Sequence, residues 1–364
     1  MAQIIWCQKD GKGLNHNVKK ILVIGHFDWT GNSASGAVVK VRNLYDELKK
    51  HNEIISKIST VDIFNWKNKK IVTLITIIFK MLFYSEIILV ISDSSSKITK
   101  IFNFYYRVFK KRFYYVVVGA SLGNTLSNNK KRIKYLKFVK SFFVETKECL
   151  NSLNKIGFGN VFLMKNFKNI VPLSFSKNFT KKDNYCFCTL SRVNEKKGII
   201  HAIEAISNIN FAFPTIKCSL DIYGPVDPDF KEKFEISLSQ HQDSHYCGVV
   251  NANDTVEVLK KYDSLLFPTL YFDEGIPGTV VDGFAAALPI VCSDWSMRSN
   301  IIENDYNGVV YEFGDLNSLV NSIARLVNSP ELMTKISKNS LDSFKEYEPS
   351  VAIQPLLKSI SGDK

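Results

Sequence analysis

The 364-residue chain has no run of about twenty uncharged apolar residues, the length a membrane-spanning helix needs. Its nearest approach, residues 71–91, is interrupted by Lys80 and Glu86. The apolar core near the N-terminus, Ile4-Ile-Trp-Cys7, is too short for a secretory signal, so residues 1–20 read as a flexible extension. Cysteine is sparse: seven residues, odd in number and scattered, with only Cys186 and Cys188 close together on one face of an apolar run. This excludes a disulfide framework, is weak as a metal pair, and fits reduced thiols in a cytosolic protein. No G-x-G-x-x-G dinucleotide fingerprint and no recognisable nucleic-acid-binding module occurs, and no metal site is assigned. Acidic residues are scarce in one half only. Residues 1–180 hold 10 Asp and Glu against 30 Lys and Arg, a net +20, whereas residues 181–364 hold 25 against 17, a net −8. The first half therefore faces something anionic, a membrane surface or a nucleic acid, or else carries a lysine-rich solvated surface. The missing module sets nucleic acid aside.

What is present is an ordinary globular composition, 45% hydrophobic, long enough for two domains. The chain is organised around residues 265–292. Leu265-Leu-Phe-Pro268 reads as a buried strand, Glu274-Gly-Ile-Pro-Gly278 as a loop, Thr279 to Ala287 as a helix, and Ile290-Val-Cys292 as the next strand. A glycine-rich loop thus meets a helix N-terminus, whose unpaired amides and partial positive charge favour an anion, most often phosphate. Glu274 and Asp282, eight positions apart, frame it. One carboxylate can hold a sugar ring and the other a ribose diol. Equally, Glu274 suits a helix dipole and Asp282 a solvated helix face.

Strand and helix patterns alternate on both sides of residue 180. Ile21 to Ile24, Ile87 to Ile91, Tyr114 to Val118, Phe142 to Val144 and Val161 to Met164 read as strands. Val38 to Lys50, Ile71 to Phe83, Lys97 to Arg112 and Glu145 to Ile156 read as helices. The helix over 97–112 interleaves cations with aromatics, a pattern that suits a membrane interface or a core helix with charged edges. Residues 130–140 form a second cationic cluster. Residues 165–183 lack periodicity and read as a linker, after which Tyr185 to Leu190, Ser219 to Gly224 and Tyr246 to Val250 continue as strands. Helices are expected over 199–209, 254–262, 318–327 and 331–347.

The run Glu274-Gly-Ile-Pro-Gly-Thr-Val-Val-Asp282-Gly-Phe-Ala-Ala-Ala-Leu-Pro-Ile-Val291 resembles the signature of the family-4 retaining glycosyltransferases, with Asp282 where that family has Glu. Ser191-Arg-Val-Asn-Glu-Lys-Lys-Gly198 is similar to the family's Gly-Arg-Leu-x-x-x-Lys-Gly, and 293–308 to a family segment ending in Asn-Gly. The resemblance covers residues 21–347 and is most specific between 185 and 308. It implies a GT-B fold: two facing doubly wound α/β domains, residues 21–180 on the acceptor side and 181–348 on the donor side, with 349–364 crossing back to the first.

By the same resemblance, Arg192 and Lys197 hold a donor pyrophosphate. Glu274 orients the donor sugar and Asp282 meets the ribose. Gly275, Ile276, Pro277, Gly278 and Thr279 lie along the donor. Ser35 and Gly36 meet its phosphates from the first domain, and Gly224, Gly248 and Val249 cradle the base. The family's donor-sugar histidine is absent, with Ser121 in its place. The implied function is metal-independent, retaining hexosyl transfer from a nucleotide-diphosphate sugar, UDP-sugar first, to a glycan or lipid-linked glycan in bacterial surface polysaccharide synthesis. No cofactor is implied, and the expected location is cytoplasmic or peripheral at the inner face of the plasma membrane. A nucleotide-binding subunit with impaired catalysis and a nucleotide-sugar epimerase are the alternatives.

Overall fold

The central strands β1, β3, β4, β10 and β11 are continuous apolar runs, which suits sheets covered on both faces. The computed structural model describes residues 18–362 apart from 30, 32–34, 65, 67–68, 93–95, 120–121 and 129–132. Ser121, most of the expected extension and part of the 130–140 cluster therefore lie outside the described residues.

The first sheet contains β1 (Lys19–Gly25), β2 (Ile55–Asp62), β3 (Glu86–Ile91), β4 (Arg112–Val117), β5 (Val139–Val144) and β6 (Val161–Leu163), all parallel, in the order β2-β1-β3-β4-β5-β6. Its helices are α1 (Gly36–Leu48), α2 (Lys70–Phe83), α3 (Ser96–Phe109), α4 (Leu122–Ser127) and α5 (Lys147–Lys155). Alternate residues of β1 enter two different cores. Leu22 and Ile24 pack towards α2 to α5, whereas Ile21 and Val23 pack towards α1.

The second sheet contains β7 (Asn184–Leu190), β8 (Lys217–Tyr223), β9 (Ser244–Tyr246), β10 (Ser264–Phe267), β11 (Ile290–Ser293) and β12 (Val309–Tyr311), parallel in the order β12-β11-β10-β7-β8-β9. Its helices are α6 (Ile199–Ala212), α7 (Lys231–Gln240), α8 (Thr255–Leu259), α9 (Gly278–Ala285), α10 (Leu316–Val327) and α11 (Pro330–Phe344). Two doubly wound domains of this kind are the GT-B architecture expected from the sequence.

Two short helices, α12 (Pro349–Ala352) and α13 (Gln354–Ser361), return to the first sheet. Ile353, Leu356, Leu357 and Ile360 share a buried core with Val23, Ile88 and Tyr114. The Tyr114 hydroxyl donates to buried Glu86 at 2.9 Å and stands 3.2 Å from the Ser359 carbonyl, to which Lys140 also donates at 2.8 Å. The linker is fastened to both domains. Asn43 donates to the Phe167 carbonyl at 3.1 Å, and Leu173 N–H to the Ala285 carbonyl at 2.8 Å.

Four elements carry too weak a pattern to read from sequence, the six-residue α4 among them. β2 is a polar sheet edge, β12 has three residues, and α7 presents only Phe234 and Ser237 to the interior. Two expected boundaries also move. β9 ends at Tyr246, so residues 247–250 are not strand. α3 ends at Phe109 because Lys110 takes a positive φ of 51°. Arg112 opens β4 instead and places Nη2 2.9 Å from Glu86, which is fully buried.

Candidate functional site

Two close backbone approaches bring the loops at residues 191–198, 224 and 268–274 of the second domain together. Gly198, with φ of 66°, is pressed against the end of β10: a Cβ there would lie 1.8 Å from the Pro268 carbonyl oxygen. Gly224, with φ of 136°, would place a Cβ 1.7 Å from the Ser191 carbonyl oxygen. Only glycine fits either position. The Lys196 carbonyl then accepts from Leu270 N–H at 2.8 Å and from the Thr269 hydroxyl at 3.2 Å. The 191–198 turn is thereby stitched to the loop that carries Glu274.

This stitching makes Lys197 and Glu274 partners. Lys197 Nζ donates to Glu274 Oε2, while its backbone N–H is capped by the Asn194 side chain at 3.1 Å. The side chains are 23% and 15% exposed, dry enough to strengthen the pair yet open to a ligand. The Thr269 hydroxyl lies 3.4 Å from the same carboxylate oxygen.

α9 begins immediately after Pro277. No described hydrogen bond takes the amides of Gly278 or Thr279, so this end keeps unpaired donors and the positive end of the helix dipole. Thr279 donates its hydroxyl to the Leu190 carbonyl at 2.6 Å, which ties the helix start to the end of β7. Gly275 has open space around it. Ile276 is buried in the core beneath α9, and Pro277 is buried as well, so these two face a donor only through backbone.

Three expected site residues have partners within the protein. Asp282 is sealed inside the second domain. It is 2% exposed, and both oxygens accept from Lys168 Nζ, at 2.7 and 2.6 Å. Burial pushes its carboxyl above the usual range, opposed by the Lys168 charge. Aspartate, one methylene shorter than the family's glutamate, keeps its carboxylate inside the helix packing, and a lysine from the linker supplies the counter-charge. Both backbone polar groups of Gly224 are engaged within the protein. Its N–H donates to the Gly248 carbonyl at 2.8 Å and its carbonyl accepts from Tyr246 Oη at 2.9 Å. The Gly248 carbonyl is thereby spent too, while the Val249 side chain is 66% exposed.

The third concerns charge. Arg192 is not joined to Lys197 by any described contact. It pairs with Asp227 at 2.9 Å, and Asn194 donates to the other Asp227 oxygen at 2.9 Å. These hydrogen bonds hold the Asp227 carboxyl below the usual range. Arg192, Lys197 and Lys168 each hold a carboxylate, so the expected bare positive field is a set of ion pairs. Asp227-Pro-Asp229 has the spacing of an Asp-x-Asp metal motif, but Asp227 is committed to Arg192.

Lys168 is the residue that sequence reasoning missed. Its ammonium stands 3.9 Å from where a Gly278 Cβ would be, beside the open end of α9. It sits in the aperiodic linker, where nothing in the local pattern marks it. In the first domain, Ser35 occupies the N-cap position of α1 and is exposed, and Gly36 has open space around it. Asp62 anchors the preceding loop by accepting from Phe27 and Trp29 N–H, at 3.0 and 3.3 Å. Across the domains, Asn300 accepts from Lys147 N–H at 3.0 Å and donates to Glu148 at 2.7 Å, at the start of α5.

The family model described as Glycosyl transferases group 1 matches residues 172–342. Over 161 residues the chain is 23% identical to an Escherichia coli UDP-Gal:alpha-D-GlcNAc-diphosphoundecaprenol alpha-1,3-galactosyltransferase, covering 44% of this chain and 40% of that one. Over 114 residues it is 28% identical to a Campylobacter jejuni N,N'-diacetylbacillosaminyl-diphospho-undecaprenol alpha-1,3-N-acetylgalactosaminyltransferase, covering 31% and 29%. These matches span less than half the length of either relative. Among solved structures, Anabaena HepE in complex with UDP superposes with a TM-score of 0.72 at 12% identity, over 94% of this chain and 100% of that one. The lipopolysaccharide outer core galactosyltransferase WaaB gives 0.65 at 14%, over 95% and 100%. At such identities the likeness concerns the fold.

Proposed function

We propose, from the match of residues 172–342 to the model described as Glycosyl transferases group 1, that the protein is a retaining, metal-independent hexosyltransferase of family 4. Its donor is a nucleotide-diphosphate sugar, UDP-sugar first, and its acceptor a glycan carried on a lipid diphosphate. The lipid-linked acceptors named for the Escherichia coli and Campylobacter jejuni relatives, and the UDP named for HepE, support that choice. The reaction belongs to bacterial surface polysaccharide synthesis, at the inner face of the plasma membrane. Among the described residues no helix is long and apolar enough to cross a membrane.

The observation that carries the reading is the Lys197–Glu274 pair beside the open amides of α9. Donor binding exchanges partners within it. Glu274 turns to the sugar hydroxyls, and Lys197, with the Gly278 and Thr279 amides, turns to the diphosphate. Charge grows on that diphosphate as the glycosidic bond breaks, so donors fixed there stabilise the transition state more than the ground state. The leaving phosphate accepts the acceptor's proton, and attack from the same face retains configuration. Asp282 acts by holding Lys168 at the helix end.

The test is UDP release from UDP-sugars with a polyprenyl-diphosphate glycan acceptor. Acceptor-dependent release that falls in both Lys197→Ala and Glu274→Ala supports the reading. Release unaffected by either change refutes it. One observation favours a second reading: Asp282, sealed by Lys168, leaves the ribose without its expected carboxylate. A nucleotide-binding subunit without catalysis would bind UDP yet turn over no donor with any acceptor.

A further inference from the structure

Helix α2 is apolar on two opposite faces. Ile77 and Met81 point into the core of the first domain. On the other side Ile71, Ile75, Ile78, Phe79 and Leu82 follow helical spacing and are 75, 61, 40, 60 and 45% exposed. Val72 and Phe83 flank this stripe and are exposed as well. Single exposed apolar residues are ordinary, but a full helical stripe of them marks an interaction surface. A helix hydrophobic all round is normally buried on all sides, and here the described chain covers only one side.

α3 extends the same surface. Tyr105 Oη donates to the Ile78 carbonyl at 3.3 Å, which holds the two helices together. Phe104, Val108 and Phe109 of α3 are 70, 56 and 44% exposed. Lys69 and Lys70 stand at the start of α2, and Arg107 and Lys110 at the C-terminal end of α3; all four are exposed. Lys111 donates to the Leu82 carbonyl at 3.3 Å, at the C-terminal end of α2. Residues 63–85 and 94–111 contain nine Lys and Arg and no Asp or Glu. An apolar stripe on helices that carry cations and no carboxylate is complementary to an anionic bilayer, where aliphatic and aromatic side chains enter the acyl boundary and lysines meet headgroup phosphates. Fourteen helical residues, about 21 Å long, lie along such an interface and do not span it.

We propose that the outer face of α2, with Phe104, Val108 and Phe109 of α3, docks the first domain onto an anionic lipid surface by shallow insertion. The docking stands apart from the transferase chemistry, because none of these residues touches Lys197, Glu274 or α9. Lys110 and Lys111 belong to the surface, whereas Arg112 is committed to buried Glu86.

The test is partitioning of the full chain onto vesicles of equal parts phosphatidylcholine and phosphatidylglycerol, against vesicles of phosphatidylcholine alone. Binding to the anionic vesicles that weakens with salt is expected. Ile75→Glu with Phe79→Glu lowers the partition coefficient about tenfold or more, since the two lost insertions together remove at least the free energy of one decade. Lys110→Glu with Lys111→Glu weakens anionic binding alone. Hydrogen exchange on the unmodified chain gives a readout free of folding effects: the amides of 70–83 gain protection when vesicles are added. A chain that ignores anionic vesicles, binding unchanged by the double glutamate variant, or no added protection over 70–83 would each overturn the proposal. So would a dimer that the same variant dissociates without any vesicle binding, which would assign the face to a second copy. UDP binding serves as the independent control and is unchanged in both variants.

Discussion

Replacing Lys168 by methionine removes the only described cation paired with Asp282 and keeps the length of the side chain. Asp282 is 2% exposed, so water cannot take over from the lost ammonium. Breaking a buried ion pair at one partner costs roughly 3–5 kcal/mol, because the other charge is left uncompensated. For a domain of this size that corresponds to a drop in Tm of roughly 6–20 °C. The loss depends on pH in a definite direction. Burial already raises the folded-state pKa of Asp282 above its ordinary value, and removal of Lys168 raises it further. A carboxyl with a raised folded-state pKa contributes most below its unfolded-state pKa and loses that contribution as pH rises through the folded value. Lys168→Met is therefore most destabilised near neutrality and partly recovers at roughly pH 5. Adding Asp282→Asn relieves most of the deficit, since removing both charges spares the unpaired one. Differential scanning calorimetry of the four proteins at both pH values measures this. A Lys168→Met transition within about 1 °C of the parent, or strictly additive single effects, would refute the buried-pair argument.

Gly224→Ala sets a Cβ 1.7 Å from the Ser191 carbonyl oxygen at a φ of 136°, so the variant loses several kcal/mol or fails to fold, whereas Gly36→Ala, with open space around it, changes Tm by under about 2 °C in the same thermal melts. Tyr114→Phe deletes the hydroxyl between Glu86 and the Ser359 carbonyl and lowers the urea-derived stability by about 1–3 kcal/mol; an unchanged midpoint would deny that contact any role in fastening the C-terminal helix. Asn300→Ala removes both described side-chain bonds to the start of α5 and changes stability by less than about 1 kcal/mol, but broadens the spread of interdomain distances in small-angle scattering.

The fold was legible because its central strands are unbroken apolar runs. Ile21 to Ile24 and Ile87 to Ile91 can only be strands covered on both faces. β2 was not, since an edge strand written Ile-Ser-Lys-Ile-Ser-Thr-Val-Asp has no such run. In the site, loop composition marked Glu274 and Lys197, and close packing of Gly198 on Pro268 makes them partners, which no spacing reveals. The Lys168–Asp282 pair joins residues 114 positions apart, one of them in a linker without periodicity. Gly224 illustrates the opposite case: the glycine stood out in sequence, and what the structure shows for it is the close approach of two backbones.

The central claim is that Lys197 exchanges Glu274 for the donor's diphosphate, and titration calorimetry of UDP tests it most directly. A charge-assisted hydrogen bond contributes about 1.5–3 kcal/mol, so Lys197→Ala binds UDP roughly 10- to 150-fold more weakly than the parent. Glu274→Gln frees the ammonium and binds UDP at least as tightly as the parent, while turning over UDP-sugar more slowly. Equal UDP affinity in the parent and in Lys197→Ala would contradict the account.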